Sequence, residues 1–469
     1  MEGMGLLFVC VLAPLCGCFL LPVLGAKMPK LRNGAALALV ITAFAAAALL
    51  LPGVLAGEEQ AFRCELPLGL SFGLRADALS VFMAMTASAV AAVIVVYSYG
   101  YMAHYENQNE YYMMVVLFIG AMMGLVFSTN LIFIYAFWEI SSVCCWRLIG
   151  FYREDAMVRK AEKAYLITVG GALVMLAGFF GVYSNTGTFE LTAMAGVSIP
   201  DWAVVCILFG ILSKSATFPL HSWLPDAGVA PSPVTSLLHA AVLVKIGVYM
   251  YARLFALTFA VNPVFEKAVP VIAAVSALVS AGAALRANDI KRVIAYSTVS
   301  QLAFILLGVS AGNPVALEGG LLYILAHSVG KGGLFLCAGV VEHTLHTKDL
   351  SKMGGLIKTM PVTAAAFLLC ALSIMGIPPF GGFFAKFLVI NGILTAGQTG
   401  LGLVFLLGAV LTVMYLARLF YKVFLGPQTT DKKEGDGFML SSVMALGVLS
   451  LAMGIFIWVP SGLAAMVGR

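Results

Sequence analysis

Glu139, Lys214, Lys245, His327, Lys331 and Lys386 each stand inside a run of largely apolar residues. Glu139 follows Leu-Ile-Phe-Ile-Tyr-Ala-Phe-Trp, Lys214 follows Cys-Ile-Leu-Phe-Gly-Ile-Leu-Ser, Lys245 follows Ala-Ala-Val-Leu-Val, and Lys386 follows Gly-Gly-Phe-Phe-Ala. His327 and Lys331 are four residues apart, which sets them on one helix face. A charged side chain at the centre of a membrane-spanning helix costs roughly 2.5–3.5 kcal/mol on insertion scales. Burial disfavours the charged form of an amine, a carboxylic acid or an imidazole, so such groups trade protons near neutral pH. Two readings compete: each lysine snorkels to an interface or closes a structural ion pair, or the set is a proton relay. The lysines outnumber the carboxylates available to neutralise them, which favours the relay. Arg147 differs, because a guanidinium stays charged in any protein setting and this one lies near the end of its apolar run; snorkelling or anchoring suits it.

Helix breakers interrupt two of these runs. Pro219 and Pro225 follow Lys214, and Pro378, Pro379, Gly381 and Gly382 precede Lys386. Discontinuous helices near the bilayer midplane expose backbone ends and admit water, a device of ion transporters. A plain proline kink is the alternative.

The elements that must position these groups follow from composition. The chain has 469 residues, 61% of them hydrophobic and 10% charged, with a mean hydropathy of +1.01; soluble domains carry about 25% charged residues. That much apolar surface cannot be hidden by a soluble protein of this size. Secreted disulfide scaffolds, disordered chains and nucleic-acid binders are excluded. A hydrocarbon core of roughly 30 Å needs about 20 apolar residues per helix. By that ruler about fourteen segments start near residues 4, 34, 77, 112, 129, 164, 202, 231, 268, 291, 315, 361, 400 and 438. Transmembrane β-strands would be shorter and would alternate apolar with polar residues. The fold class is an all-α polytopic membrane protein, one transmembrane domain over 1–469. The nine cysteines form no CxxC pair and lie near no histidine at ligand spacing, so nearly all read as small buried hydrophobes, and no metal or cofactor site is predicted. The amino terminus lacks the positive segment of a signal peptide, and its first apolar run is read as a retained helix.

Lys and Arg concentrate in alternate loops: Lys27, Lys30 and Arg32, then 153–163, 286–292, 348–358 and 418–433. The other side holds Arg63, Arg75, Arg253, Lys267 and Arg469. The positive-inside rule makes the richer side cytoplasmic and puts both termini on the outer face of the cell's inner, cytoplasmic membrane.

The stretch Lys214–Leu254, KSATFPLHSWLPDAGVAPSPVTSLLHAAVLVKIGVYMYARL, resembles the signature of antiporter-like subunits. That family comprises the large proton-pumping subunits of respiratory complex I (the NADH-quinone oxidoreductase), subunits of multisubunit cation/proton antiporters, and the membrane arms of energy-converting hydrogenases. DIKRVIAYSTVSQLAFI (289–305), ILAHSVGKGGLFLCAG (324–339) and GIPPFGGFFAKF (376–387) resemble further family motifs in the same order. The resemblance implies fourteen helices, inverted five-helix repeats over 112–254 and 268–425, broken helices 7 and 12, and no cofactor in this subunit. It makes Glu139 the fifth-helix glutamate, Lys214 the seventh-helix lysine and Lys245 the eighth-helix lysine. His327 and Lys331 correspond to the eleventh-helix relay, and Lys386 to the twelfth-helix terminal group. His239 falls at a further polar position on the eighth helix. Tyr323 stands where some members carry a second histidine, so a phenol or water must bridge there.

The implied function is proton translocation by a non-redox pumping subunit of a multisubunit redox complex such as complex I or an energy-converting hydrogenase. Its partners would be other membrane-arm subunits, a peripheral redox module, protons and the bilayer, with sodium an open possibility. A subunit of a sodium/proton antiporter is the alternative, and a self-contained solute transporter a weaker one. A structural scaffold gives no reason for the buried charges. Glu139 and Lys214 are expected to form a separable ion pair, Lys245, His327 and Lys331 to continue the path along the membrane, and Lys386 to exchange with the outer face.

Overall fold

Backbone amides in hydrocarbon have no water to bond, which leaves helices as the economical way across. The structure, a computed structural model, describes residues 2–67 and 70–467; Arg469 lies outside them. Helices α1 (Glu2–Gly17) and α2 (Leu20–Lys27) form a span bent by 49°, and α3 (Pro29–Leu55) returns. An antiparallel hairpin, β1 (Gln60–Glu65) and β2 (Ser71–Ala76), leads into α4 (Ala78–Tyr101). Then come α5 (Gln108–Phe127), α6 (Leu131–Ile149) and α7 (Asp155–Thr186). Helix α8 (Asp201–Lys214) stops short, and α9 (Trp223–Asp226) lies beyond the break. Helices α10 (Ser232–Ser236) and α11 (Leu243–Tyr251) are joined by a π-helical turn, Leu237–Ala241. The second half contains α12 (Pro263–Arg286), α13 (Ile290–Ser310), α14 (Pro314–Leu345), α15 (Pro361–Met375), α16 (Gly381–Thr395), α17 (Thr399–Phe424), α18 (Gly437–Ile455) and α19 (Trp458–Met466).

Among the described residues, 11 helices are long and apolar enough to cross a membrane, and up to 12 if α1 and α2 count as one span. The fold is therefore a polytopic helical membrane protein. The shortfall from fourteen has a local cause: breaks cut α8, α15 and α16 to 14, 15 and 15 residues. Short polar residues start several of the intact helices. Asn130, Asn262, Asp289, Asn313 and Asp436 each accept a backbone N–H of the first turn of α6, α12, α13, α14 and α18.

Burial is uneven, and its distribution matters for the charges. The most apolar windows of Ser232–Ala256, Ile290–Ser310 and Pro314–Leu345 are 100%, 94% and 94% buried, against 33% for α3 and α17. A lysine on the first group has almost no lipid-facing side through which to snorkel. Six cysteines are buried, but Cys16 and Cys64 are exposed and Cys206 is half-exposed.

Ion pairs join residues of the same membrane side. On the Lys/Arg-rich face, Lys163 and Arg292 share Asp226, Arg153 and Arg147 share Glu110, and Lys291 meets Glu342. Arg147 thus acts as an anchor between α5 and α6. Two residues expected in loops are buried instead: Arg32 is 3% exposed, held by Asn33, Gln108 and Asn109, and Lys291 is 1% exposed. Sequence places both beside polar neighbours, but packing turns them inward.

On the opposite face, Arg253 grips Asp77 through two hydrogen bonds of 2.5 and 2.9 Å. Asp77 also caps α4 by accepting from Ser80 N–H at 2.8 Å. Burial alone would push the Asp77 carboxyl up; the Arg253 guanidinium and the bonds from Ser80 outweigh it and hold it at about 2, below the ordinary 3.8. A depressed carboxyl stabilises the fold fully above its unfolded value and loses that contribution as pH falls. Thermal unfolding in mild detergent is expected to show up to about 2 kcal/mol lost between pH 4 and 2. Asp77→Asn should remove that acid-dependent step and cost about 3 kcal/mol at neutral pH, because it strands Arg253; an unchanged midpoint would refute the pairing's importance.

Candidate functional site

A charge in a dry interior must be met by helix ends, hydroxyls or other side chains. The first break supplies a helix end. α8 closes at Lys214, whose ammonium crosses to α6 and donates to Ser142 Oγ at 2.6 Å and to the Trp138 carbonyl at 3.2 Å. It also lies 5.1 Å from the centroid of the Trp138 ring. Glu139 is the next residue along α6; its side chain is half-buried, and Oε1 has no hydrogen-bond partner among the described residues. The expected partners therefore meet the same turn of α6 without a salt bridge between them.

The centre of the band is a direct contact. Lys245 Nζ on α11 stands 2.5 Å from Nδ1 of His327 on α14, and both residues are fully buried. No carboxylate among the described residues joins them. His239 sits on the π-helical turn that precedes α11, and such turns often mark functional positions. Both of its ring nitrogens and Nε2 of His327 are buried without partners among the described residues. One turn along α14 from His327, Lys331 bonds to Ser297 Oγ and lies 3.4 Å from the Ile294 carbonyl, both on α13.

The second break repeats the helix-end device with a different residue order. α15 ends at Gly376, whose φ of 82° is a left-handed conformation that only glycine adopts without strain. Lys386, one turn into α16, sends its ammonium back to the Ile374 carbonyl at 2.7 Å. That carbonyl belongs to the last turn of α15, where unpaired acceptors and the helix dipole favour a cation. The same ammonium lies 4.8 Å from the Phe304 ring and 5.4 Å from the Tyr323 ring. Tyr323 precedes His327 by one turn, their rings 6.2 Å apart. Its hydroxyl donates to Gln301 Oε1 at 2.6 Å, and the Gln301 amide donates to Thr412 and Tyr415 at 3.0 and 2.8 Å.

Lys245, His327, Lys331, Tyr323 and Lys386 thus share one polar band through α11, α14, α13 and α16, with His239 beside it. Lys214 and Glu139 lie apart, between α6 and α8. Ser142, Ser297 and Gln301, which receive or orient these groups, are partners the charge pattern alone did not single out. For Ser297 and Gln301 the signal was present as Ser-Thr-Val-Ser-Gln at 297–301, a polar run within an otherwise apolar span. Among the described residues no cluster of three or more His, Cys, Asp or Glu is placed to hold a metal ion.

Comparison with known proteins bears on the family and the fold. A family profile described as NADH:quinone oxidoreductase/Mrp antiporter, TM, matches residues 128–412, and one described as NADH-Ubiquinone oxidoreductase (complex I), chain 5 N-terminus, matches 66–112. An Na(+)/H(+) antiporter subunit of Alkalihalophilus pseudofirmus is 35% identical over 83% of this chain and 53% of its own length. NAD(P)H-quinone oxidoreductase subunit 5 of the Paulinella chromatophora chromatophore is 36% identical over 85% of this chain and 64% of its own. The chain spans about half the length of the antiporter relatives it matches. In fold it is similar to a chain of the Mrp complex from Dietzia sp., with a TM-score of 0.92 at 24% identity, covering 100% of this chain and 97% of the other. It is also similar to a chain of respiratory complex I from Thermus thermophilus, with a TM-score of 0.86 at 25% identity, covering 99% and 98%.

The Gln301 hub is testable without an activity assay. Gln301→Leu removes the acceptor of the buried Tyr323 hydroxyl and is expected to destabilise the protein by about 1–3 kcal/mol. Gln301→Glu keeps the acceptor and should retain more stability than the leucine variant. Equal unfolding midpoints for wild type and Gln301→Leu would mean that the contact carries no stability.

Proposed function

We propose that this chain, which belongs to the NADH:quinone oxidoreductase/Mrp antiporter transmembrane family, is a proton-translocating subunit of a multisubunit membrane complex. The observation that carries the proposal is the Lys245–His327 contact, an amine and an imidazole 2.5 Å apart in the most enclosed part of the fold, joined by no carboxylate among the described residues. A structural ion pair needs opposite charges. An amine and an imidazole that share a proton need only one.

In this reading the fold has fourteen spans. α1 with α2, α8 with α9, α10 with α11, and α15 with α16 each count as one, the nine-residue α19 is too short to count, and residues 112–254 and 268–425 form inverted repeats within a single membrane domain. The Lys/Arg-rich face is cytoplasmic and both termini face outward across the inner membrane. Glu139 meets Lys214 when the pair closes and releases it when the pair opens, which lets Lys214 hand its proton inward. The path continues through Lys245, His327 and Lys331, with His239 and Tyr323 in support, and ends at Lys386. The Ile374 carbonyl steadies the charged form of Lys386, and the adjacent break gives it access to the outer face. Moving one charge across 100 mV requires about 2.3 kcal/mol, so partner subunits must supply the drive. A redox module such as that of complex I or an energy-converting hydrogenase is one source. A sodium/proton antiporter assembly is the second reading, favoured by the 35% identity to an Na(+)/H(+) antiporter subunit. Polypeptides co-purifying in mild detergent separate the two.

Driven acidification of inverted membrane vesicles tests the relay. Lys386→Met is expected to abolish pumping with assembly intact, whereas Lys386→Glu keeps a titratable group and should retain part of it. Glu139→Gln should lower the rate by roughly tenfold or more. Full pumping by the methionine variant would remove Lys386 from the relay.

A further inference from the structure

Lys291 is as deeply buried as the relay lysines, yet it lies at the basic membrane face in a segment that reads as a loop. Its ammonium contacts the Ala230 carbonyl at 3.1 Å and Glu342 Oε2 at 2.5 Å. Glu342 is the wet half of this pair, with a side chain 22% exposed against 1% for Lys291. Ser232 Oγ donates to the same carboxylate oxygen at 3.2 Å, and Lys348 stands 3.9 Å from the other. One carboxylate at the aqueous rim thus touches one ammonium in the dry interior.

From there the fold leads to the polar band. Lys291, Ile294 and Ser297 follow one face of α13, and the Ile294 carbonyl and Ser297 hydroxyl are the partners of Lys331. Opposite them, Ser232, Ser236 and His239 climb from α10 into the π-helical turn, and Ser236 Oγ bonds to the Gly332 carbonyl of α14. His239 is fully buried, with neither ring nitrogen partnered among the described residues, and the charges that face it are those of Lys331, Lys245 and Lys291. A buried imidazole with two vacant nitrogens among three amines is costly as a structural element.

We propose that Glu342 and Lys291 form a proton uptake site on the cytoplasmic face that loads the band through His239, separately from the Glu139–Lys214 pair. The inference rests on the relay reading above. A proton from bulk water binds the Glu342 carboxylate and dissolves the ion pair. The unpaired, buried Lys291 ammonium then releases its proton through intervening water to a vacant nitrogen of His239. Glu342 passes its own proton to the neutral Lys291 amine, which restores the pair, and His239 delivers to Lys331 or Lys245. The sum is one proton moved from the cytoplasm to an axial amine, with every donor returned to its starting state. Around the rim, His343 lies with its ring 6.2 Å from that of His104 and 5.8 Å from that of Tyr101; His346, Asp436, Glu342 and Lys348 complete the titratable surroundings.

The test is driven proton uptake by the assembled complex in inverted native vesicles, followed with a pH-sensitive dye. Glu342→Gln is expected to slow the initial rate roughly tenfold or more. Glu342→His keeps a titratable group and should recover part of the rate, with a fall above about pH 6.5, where histidine ceases to hold a proton. A purely structural pair predicts no such change of pH profile. If the glutamine variant does not assemble, Lys291→Met/Glu342→Gln removes both charges together and carries the same expected loss. Lys331→Met is measured in parallel. A silent Lys331→Met complex alongside a wild-type rate in the Glu342 variants overturns the uptake site and leaves the relay standing. Full pumping by Lys331→Met overturns both, since uptake would then serve no band.

Discussion

A lysine amine and a histidine nitrogen held 2.5 Å apart in a hydrocarbon slab can persist only if water, lipid and counter-ions are all kept at a controlled distance. Much of the architecture serves that constraint. The three spans that carry Lys245, His327, Lys331 and the hydroxyls of α13 are the most enclosed, their apolar windows 94–100% buried against 33–78% for the other long apolar spans. Were α14 on the periphery, its lysine could reach a lipid headgroup and the contact with α11 would have no reason to form.

The same constraint explains why the helices break where they do. A carbonyl within an intact helix already accepts one backbone bond and can offer a buried cation only its second lone pair, whereas a helix end leaves whole carbonyls unpaired. Ending α15 at Gly376 frees the Ile374 carbonyl for Lys386, and closing α8 at Lys214 puts an ammonium at a helix C-terminus. Away from the axis, charge is handled differently. Arg253 with Asp77, and Arg147 and Arg153 with Glu110, form ordinary ion pairs at the two faces, where solvent lowers the cost of charge. The molecule therefore contains two electrostatic regimes: paired charges at the rims, and amines served by neutral acceptors within.

Family membership fits this division. Relatives of this chain are named for both antiport and quinone reduction, and in the proposed reading what they have in common is the movement of a proton. The polar band suits that proposal, since an amine, an imidazole and a phenol can each gain and lose a proton without covalent chemistry.

Sequence alone determined the class of fold, the approximate place of most spans and the identity of most, though not all, of the buried ionisable groups. Hydropathy acts over about 20 residues and needs no knowledge of neighbours, so a lysine after five apolar residues was legible as intramembrane. The breaks at Pro219 and Pro378 were legible for the same local reason. Tertiary structure decided what those groups touch. That Lys245 meets His327 directly, that Lys214 faces Ser142 rather than the Glu139 carboxylate, and that Gln301 gathers Tyr323, Thr412 and Tyr415 are consequences of helix rotation and contact. Lys291 is the clearest case. Asp289, Lys291 and Arg292 read as one polar loop end, but α13 begins at Ile290, and its helical geometry turns Lys291 inward while Arg292 stays exposed. Each residue of a helix is rotated about 100° from the last, and which side faces the interior is set by the surrounding helices, not by the residues adjacent in the chain.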